Sequence, residues 1–329
     1  MRFQTKNGVL IAQANGETLR IEPWGKDSLR VRATMLPGFS GKDWALTEVP
    51  EKTEAKAEQF AVDHLEIDGS MGKRTSASIT NGKIRAVVNF AGVITFYKEE
   101  QEILREYHRC YDGTISKESR CLKTVNREWK GVIGGSEYSL NLKFESNDEE
   151  KIFGMGQYQQ KYMDLKGCTL ELAQRNSQIS VPFAVSSLGY GMLWNNPAVG
   201  QVTFGKNYTE WTARSTKDMD YWLTAADTPK EILENYTAVT GRAPKFPEDR
   251  MGLWQCKLRY YNQEQVLNVA REYKKRGIPL DVFVIDYYHW PRCGDYRFDE
   301  EYFPDPKAMI DELHEMGIET MVSIWPQID

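Results

Sequence analysis

A carboxylate and an imidazole stand among aromatic side chains in one short stretch of the sequence. In LDVFVIDYYHWP, four apolar residues precede Asp286, and four ring side chains follow it as Tyr287, Tyr288, His289 and Trp290. Aromatic rings beside a carboxylate suit a sugar, because the rings stack on its C–H faces and the carboxylate accepts hydrogen bonds from its hydroxyls. The alternative is an aspartate that caps a strand beside core aromatics, and residue types alone leave both open.

Aromatic residues also follow two neighbouring apolar runs. Trp325-Pro326 closes the last run, and Arg259-Tyr260-Tyr261 closes one that begins at Met251. At the end of a strand, Trp325 would either wall a ligand subsite or fill the mouth of the sheet. We treat Tyr260 and Trp325 as candidate binding residues.

The pair Asp286-x-x-His289 could form half of a metal site. The chain has four histidines, and no HxH or HExxH pair occurs among them. A zinc site needs several protein ligands that converge on the ion. We therefore predict neither a metal nor a cofactor.

Composition argues against several classes of protein. Positively and negatively charged residues are interspersed along the chain, and the net charge is −5. No basic stripe occurs, so no nucleic-acid partner is predicted. No run approaches the roughly 18 apolar residues of a membrane span, and the N-terminus lacks the pattern of a secretory signal. The five cysteines are widely spaced without a CxxC pair, which favours a reducing compartment and hence a cytoplasmic location.

Residues 1 to about 225 have the pattern of short strands joined by tight turns. Residues 83–96 predict two strands with a kink at Ala91-Gly92, and the polar segment 40–58 predicts a loop or a short exposed helix. Many short strands of this kind favour an antiparallel β-sandwich. Turn dipeptides that tolerate positive φ recur at Asn7-Gly8, Asn15-Gly16, Asp68-Gly69, Asn81-Gly82 and Asp112-Gly113.

A helix is predicted at residues 228–240, where the β pattern ends. Thr228 suits its N-cap and Gly241 its C-cap. Two prolines then interrupt the pattern, which indicates a domain boundary. The prediction is a β-sandwich domain at residues 1–243 and a second domain at residues 244–329.

After Arg250 the sequence alternates between strands and helices. The predicted strands are 251–256, 282–286 and 320–325, and the predicted helices are 263–276 and 307–316. This repeated unit implies a parallel sheet. Its apolar strands need cover on both faces, and a (β/α)8 barrel takes about 250 residues. We therefore predict the first three βα units of a truncated (β/α)8 TIM barrel from a longer protein.

Long stretches of the sequence are similar to one known family. The run WQCKLRYYNQEQVLNVAREYKKRGIPLDVFVIDYYHWP, followed by GDYRFDEEYFPDPKAMIDELHEMGIETMVSIWP, resembles the start of the catalytic barrel of glycoside hydrolase family 31. The stretches FGMGQYQQKYMDLKG and LAQRNSQISVPFAVSSLGYGMLWNNP resemble the N-terminal β-sandwich of that family. The resemblance covers residues 150–329 by motifs and residues 1–150 only by their β character.

The resemblance implies retaining hydrolysis of α-glycosides by two aspartates, one the nucleophile and the other the acid and base. Retaining enzymes hold the two carboxyl groups about 5–5.5 Å apart. In this family both aspartates lie on later barrel strands, so no catalytic residue is expected within this chain. Asp286 instead matches the second-strand aspartate, which holds sugar hydroxyls in the −1 subsite.

Further substrate-binding residues follow from the same resemblance. Tyr260 matches an aromatic residue that lines the −1 pocket, and Trp325 falls at the end of the third strand, where family members vary. Asn176 matches a position that is often Asp and reaches the +1 sugar, so the asparagine departs from the pattern. Trp290 completes the predicted set.

Tyr287 and Tyr288 bear on the choice of sugar. In the family, residues after the second-strand aspartate crowd the C5 substituent, so bulky rings disfavour the hydroxymethyl group of glucose and admit xylose. The resemblance therefore predicts an exo-acting α-xylosidase, with an α-glucosidase of the same family as the alternative. A non-catalytic carbohydrate-binding protein and a metal-dependent barrel hydrolase are the competing classes.

The predicted partner is an oligosaccharide or a small α-glycoside, with no nucleic acid and no membrane. A homo-oligomer of the full-length enzyme stays open. The 329 residues alone are expected to be inactive, because the catalytic aspartates are expected beyond them.

Overall fold

The computed structural model describes residues 1–47, 54–65, 70–109 and 124–327. The turns predicted at Asp68-Gly69 and Asp112-Gly113 lie outside the described residues, as does part of the segment 40–58. The chain divides into two compact units, Met1–Arg242 and Ala243–Asp329. We call them the β unit and the βα unit.

The described residues of the β unit form short strands, as their alternating pattern predicts. In chain order these are β1 Arg2–Lys6, β2 Val9–Ala14, β3 Glu17–Pro23, β4 Ser28–Thr34, β5 Lys56–Leu65, β6 Met71–Asn81, β7 Ile84–Val88, β8 Ile94–Lys98, β9 Gln101–Arg105, β10 Arg127–Gly131, β11 Tyr138–Glu145, β12 Ile152–Gln157, β13 Thr169–Leu172, β14 Ile179–Ser186, β15 Tyr190–Trp194, β16 Gly200–Phe204, β17 Tyr208–Thr216 and β18 Asp218–Ala225. The described part of the segment 40–58 is a loop as far as Thr47 and strand from Lys56.

The strands of the β unit pair antiparallel in three sheets. The largest has the order β1-β2-β3-β4-β18-β15-β14-β12, the second β10-β11-β17-β16-β13 and the third β5-β6-β7-β8-β9. Tyr221 of the first sheet packs against Phe96 of the third and Phe144 of the second, with ring centroids 6.3 and 5.9 Å apart. All three rings are fully buried, so the sheets share one core.

Two of the predicted turns are confirmed, and a third is displaced by one residue. Asn7-Gly8 and Asn15-Gly16 have positive φ throughout and join successive strands. The turn after β6 is formed by Gly82 and Lys83 instead of Asn81-Gly82. Asn81 stays in the ladder opposite Ile84, because its buried amide donates to the carbonyls of Gly25 and Ser28.

The two strands predicted at residues 83–96 are confirmed as β7 and β8, which form an antiparallel hairpin. The five residues between them reverse the chain around Asn89. Its Oδ1 accepts hydrogen bonds from the backbone N–H groups of Ala91 and Val93 at 2.9 and 3.0 Å. The side-chain bonds of Asn89 therefore turn the predicted kink into a connection.

Helix α1 (Pro229–Thr240) ends the β unit as the sequence predicts. Thr228 and Glu231 form a capping box, in which each side chain accepts from the backbone N–H of the other. Gly241 at the C-cap has φ of 99°, a conformation that favours glycine. Ile232 and Val239 are buried in a core cluster that includes Trp222.

The βα unit holds three parallel strands and two helices. In chain order these are a 3-10 turn Glu248–Arg250, β19 Trp254–Lys257, α2 Gln263–Lys275, β20 Val282–Ile285, α3 Pro306–Glu315 and β21 Glu319–Val322. The strand order is β19-β20-β21, and both pairs are parallel. Asn262 and Asp305 cap the two helices with their side chains.

The two faces of this parallel sheet differ in cover. Phe283 and Ile285 of β20 are buried in one cluster with residues of α2 and α3. On the opposite face, Cys256, Val284 and Met321 are aligned across the sheet. Cys256 and Met321 are exposed and Val284 is half-buried, so this face lacks the cover that a parallel sheet normally has.

The third strand is shorter than predicted. It was expected at residues 320–325, but β21 ends at Val322. Trp325 therefore lies three residues beyond the strand instead of at its end. The physical reason lies in its partner strand β20, which ends at Ile285 before the chain turns at Tyr287 and Tyr288, so nothing in β20 pairs with residues beyond Ser323.

Candidate functional site

Asp286 lies where two adjacent parallel strands end. It directly follows β20, and Ser323 directly follows β21. Ser323 Oγ donates to Asp286 Oδ1 at 2.5 Å, while the Ser323 N–H donates to the Ile285 carbonyl at 3.0 Å. These two bonds fix the carboxylate at the carboxyl edge of the sheet, where open α/β sheets and barrels bind ligands.

Ser323 was missed in the sequence analysis. A signal was available, because residues that follow neighbouring parallel strands meet at the same edge of the sheet. The strand boundary predicted at Trp325 hid it, since Ser323 then counted as a strand residue. Once β21 ends at Val322, Ser323 takes the place beside Asp286.

Tyr287 and Tyr288 hold unusual backbone conformations. Their φ angles are 59° and 56°, both in the left-handed region that large side chains rarely occupy. Each such residue costs about 1–2 kcal/mol, so the surrounding structure must enforce the conformation. The consequence is a sharp turn of the chain directly after Asp286.

This turn brings the rings of the predicted aromatic residues close together. Tyr287 lies with its ring centroid 4.4 Å from that of Tyr288 and 5.1 Å from that of Trp325. Trp290 lies 6.1 Å from both Tyr288 and Trp325. We call Tyr287, Tyr288, Trp290 and Trp325 the aromatic cluster. Four of the predicted site residues thus lie together beside Asp286.

The cluster has an open part and a closed part. Tyr288 and Trp325 are 48% and 41% exposed, whereas Trp290 is only 4% exposed. The guanidinium of Arg259, after β19, lies 5.6 Å from the centroid of the Tyr288 ring. Tyr288 and Trp325 therefore offer ring surface to a ligand, and Trp290 supports them from behind.

His289 points into the protein instead of toward solvent. It is 5% exposed, its ring lies 5.1 Å from that of Phe298, and its Nδ1 has no hydrogen-bond partner among the described residues. Burial lowers the pKa of His289, and the negative charge of Asp286 opposes this effect. A small cavity of about 110 Å³ lies beside His289, Trp290 and Ser323.

The predicted residue Tyr260 is not part of the aromatic cluster. Tyr260 is 1% exposed, packs on Phe283 at 4.8 Å and accepts a hydrogen bond from Gln255 at 3.0 Å. Burial raises the pKa of Tyr260. A ligand cannot touch its ring in this structure, so Tyr260 supports the end of β19 from within the core.

Asn176 lies in the β unit. It is exposed in a two-residue turn with Ser177, between the bridged residues Arg175 and Gln178. Ser177 has φ of 67°, which gives the turn its tight bend. The side chain of Asn176 is thus presented at a loop tip.

Cys256 on β19 is a further neighbour of Asp286 that the sequence analysis did not single out. Burial raises the pKa of its thiol, and the charge of Asp286 raises it further. A thiol with a raised pKa is a poor nucleophile at neutral pH. Cys256 is therefore not a candidate nucleophile.

The donor set does not fit a metal centre. Among the described residues, no group of three or more His, Cys, Asp or Glu side chains could hold a metal ion. None of the helices within the described ranges combines the length and the apolar character of a membrane span. What the arrangement offers is one fixed carboxylate beside exposed ring faces, which is chemistry for hydroxyl groups and C–H faces.

Comparison with known proteins assigns this arrangement to a family. Residues 243–329 match the family model described as the TIM-barrel domain of glycosyl hydrolases family 31. The chain is similar to a protein of Pseudescherichia vulneris described as an uncharacterized family 31 glucosidase, with 48% identity over 95% of this chain and 58% of that protein. Alpha-xylosidase A of Aspergillus niger is 31% identical over 99% of this chain and 44% of its own length.

A solved structure is similar throughout the chain. It is the family 31 α-xylosidase from a soil metagenome complexed with xylose, with a TM-score of 0.89 and 50% identity. The match covers 100% of this chain and 48% of that protein, so the chain spans about half the length of the relatives it matches. On these grounds residues 243–329 belong to the barrel domain of glycoside hydrolase family 31, and the chain as a whole is similar to members of that family.

Proposed function

We propose that this chain is the sugar-binding front part of a retaining, exo-acting α-glycoside hydrolase that releases xylose from α-xylosides. The observation that supports this most is the likeness to an α-xylosidase whose structure holds xylose, at 50% identity over the whole chain. A second relative, 31% identical, is also named an α-xylosidase. The site at the end of β20 offers a carboxylate for sugar hydroxyls and exposed ring faces for sugar C–H groups, as the proposal requires.

Asp286 is proposed to bind the sugar and not to attack it. Its carboxylate accepts from Ser323 on Oδ1 and retains acceptor capacity for sugar hydroxyls. Retaining hydrolysis needs two carboxyl groups about 5–5.5 Å apart. We propose that both are aspartates on later barrel strands, outside these 329 residues.

The aromatic cluster is proposed to select the sugar. Tyr287 and Tyr288 are bent back beside Asp286 by their left-handed conformations. A sugar held by Asp286 would then present its C5 substituent to these rings. Xylose has no hydroxymethyl group at that carbon, whereas glucose would have to displace a ring to fit.

The parallel sheet of the βα unit is proposed to be completed as a (β/α)8 barrel. Cys256 and Met321 are exposed on one sheet face, and β21 forms an edge. Further βα units would pair with that edge and enclose the open face as a barrel interior. The same closure would bring later strand ends to the rim that holds Asp286.

The choice between xylose and glucose is tested with the full-length protein on p-nitrophenyl α-xyloside and α-glucoside. We expect a higher kcat/KM on the xyloside. Tyr288→Asn, which tolerates the left-handed backbone, should raise the ratio of glucoside to xyloside kcat/KM by about tenfold. Tyr302→Ala removes a tyrosine that is 49% exposed outside the cluster and should leave the ratio unchanged. A preference for the glucoside in the unmutated enzyme would exclude the α-xylosidase assignment.

An α-glucosidase is the second candidate, because the 48% identical relative is described as a family 31 glucosidase. It predicts the reverse preference in the same assay. A full-length protein that binds both sugars and hydrolyses neither glycoside would instead favour a carbohydrate-binding protein.

A further inference from the structure

A cavity of about 460 Å³ opens in the β unit, where β4 and β15 end and β18 begins. Most of its lining residues come from the connecting segments 40–44 and 195–198 and from residues 215–217, where β17 ends. Its volume lies within the roughly 300–1,000 Å³ of small-molecule sites. Every lining residue belongs to the β unit.

Trp44 is presented at this cavity in an unusual way. It is 57% exposed, and its φ of 54° lies in the left-handed region. A large residue in that region costs about 1–2 kcal/mol, and it persists only where the surroundings enforce it. A tryptophan that served to cover the core would not leave more than half of its surface in water.

Buried polar groups enforce this conformation from both sides. The buried Asn195 donates to the Asp43 carbonyl at 3.0 Å and accepts from the Ala45 N–H at 3.1 Å. Arg30, whose side chain is fully buried, donates to the Lys42 carbonyl at 3.1 Å and to the Asp43 carboxylate at 2.6 Å. The peptide groups before and after Trp44 are thus fixed, and the fixed backbone presents its indole at the cavity.

The charges around the cavity cancel. Its lining includes three cationic side chains, Arg32, Lys42 and Lys217, and three acidic ones, Glu137, Asp218 and Asp220. A ligand with a net charge of either sign would gain nothing from a balanced lining. A neutral ligand with many hydroxyl groups would find both donors and acceptors, and the indole would stack on its C–H face.

We propose that this cavity binds a neutral carbohydrate, with one sugar ring stacked on Trp44 and its hydroxyls hydrogen-bonded by the charged side chains around it. The proposal goes beyond the hydrolysis inferred above, because it assigns sugar binding to residues of the β unit. It does not depend on which glycoside is hydrolysed.

The first test observes Trp44 directly. The full-length protein is labelled with 5-fluorotryptophan, and the Trp44 signal is assigned by its loss in Trp44→Phe. Maltohexaose and xylohexaose are then titrated in an Asp286→Asn background, which weakens the barrel site. We expect a saturable shift of the Trp44 signal with a Kd of about 1 mM or tighter for at least one of them. Trp254, 41% exposed in the βα unit, is the control signal and should not move. A Trp44 signal that does not respond to either sugar overturns the proposal.

The second test measures affinity in the same background by calorimetry. Trp44→Ala and Lys217→Ala both alter surface side chains, so folding should survive, which circular dichroism checks. We expect Trp44→Ala to weaken oligosaccharide binding at least about tenfold, and Lys217→Ala by less, because stacking supplies most of the contact area. Phe60→Ala, which removes another exposed ring of the β unit, is the matched control and should leave the Kd unchanged.

Equal affinity of Trp44→Ala and Phe60→Ala, or tighter binding of trigalacturonate than of the neutral sugars, contradicts the proposal. If the unmutated full-length protein binds an oligosaccharide through Trp44 but hydrolyses neither p-nitrophenyl glycoside, only the proposed function is contradicted.

Discussion

Asp286 is effective for sugar binding only if its carboxylate keeps one orientation. The bond from Ser323 Oγ supplies that orientation, and it joins the ends of two adjacent strands. In the proposed function Ser323 acts through Asp286, so it is a positioning residue. The sequence singled out Asp286 as a candidate, whereas finding Ser323 beside it depended on the strand boundary.

Replacement of Ser323 should therefore impair catalysis less than replacement of Asp286. In the full-length enzyme we expect Asp286→Asn to lower kcat/KM about 100-fold, because charge-assisted bonds of about 1.5–3 kcal/mol each are weakened. Ser323→Ala should lower it about tenfold through a misplaced carboxylate. Steady-state kinetics on the p-nitrophenyl α-xyloside measures both.

Ser323→Thr is the informative control, because it keeps the hydroxyl donor. It should restore most of the activity that Ser323→Ala loses. If Thr and Ala at this position behave alike, the hydroxyl has no role in positioning Asp286.

His289 should remain neutral at neutral pH. Its buried position lowers its pKa below the ordinary value, and Asp286 partly offsets this. Asp286→Asn should therefore lower the pKa of His289 further. Nitrogen-15 NMR titration measures it, with the signal assigned by its loss in His289→Gln among the four histidines of the chain.

The sign of the linked stability follows from the same shift. Below the ordinary pKa of histidine, about 6.5, the unfolded chain binds a proton that folded His289 does not. The free energy of unfolding should therefore fall as the pH is lowered from 6.5 through the folded pKa. His289→Gln should remove this part of the pH dependence, and an unaltered profile would speak against a buried neutral imidazole.

At the scale of single elements, local sequence signals predicted whether a segment is a helix or a strand better than they predicted where it ends. Helix α1 was predicted with both of its caps, because Thr228 acts on the first turn of the helix and Gly241 directly follows its last residue. Strand β21 was predicted to end three residues too late, because Ser323, Ile324 and Trp325 continue a pattern typical of strands. The strand ends where its distant partner β20 ends and the chain turns at Tyr287 and Tyr288, and no local pattern around Ser323 contains that information.

The capping box of α1 gives a prediction for stability. Thr228→Ala removes the acceptor for the Glu231 N–H and should lower the free energy of unfolding by about 1 kcal/mol. A urea titration of the β unit's transition in the full-length protein measures the change.

Thr237→Ala lies in the interior of the same helix and serves as the matched control. Alanine is the better helix former there, so the substitution should be neutral or slightly stabilising. Equal losses for the two variants would mean that the cap contributes nothing specific.

At the scale of the molecule, the sequence predicted an antiparallel β part followed by a parallel βα part, and the division falls at Arg242, one residue from the predicted boundary. Periodicity carries this information, since alternation and helical spacing differ over whole segments. The aromatic cluster was predictable as a set of residues but not as a geometry. The arrangement of its rings depends on the left-handed backbone of Tyr287 and Tyr288, and a tyrosine in the sequence does not predict that conformation.

The open face of the parallel sheet gives a prediction for the 329-residue chain alone. Met321 and Ile324 are 48% and 60% exposed beside the edge strand β21, which offers unpaired backbone groups. Exposed apolar edges pair with other chains. We therefore expect this chain to self-associate at micromolar concentration, as measured by size-exclusion chromatography with light scattering.

Met321→Lys should reduce that association, because a charge on the edge strand opposes pairing. Met71→Lys, at a 68% exposed methionine of the β unit, should leave it unchanged. A monomeric chain with one cooperative melting transition would show that the sheet needs no further cover.

If the proposed glycosidase function holds, the left-handed pair Tyr287-Tyr288 also limits how the full-length protein can acquire a new substrate by mutation. Valine or isoleucine at either position would open space around the sugar, yet β-branched residues tolerate this backbone least. Asparagine and glycine are the replacements that the backbone accepts without first moving. A lineage that acquires aliphatic residues here should therefore do so together with an insertion or deletion that relaxes the loop. Loop length after the second-strand aspartate should then vary with sugar preference across the family.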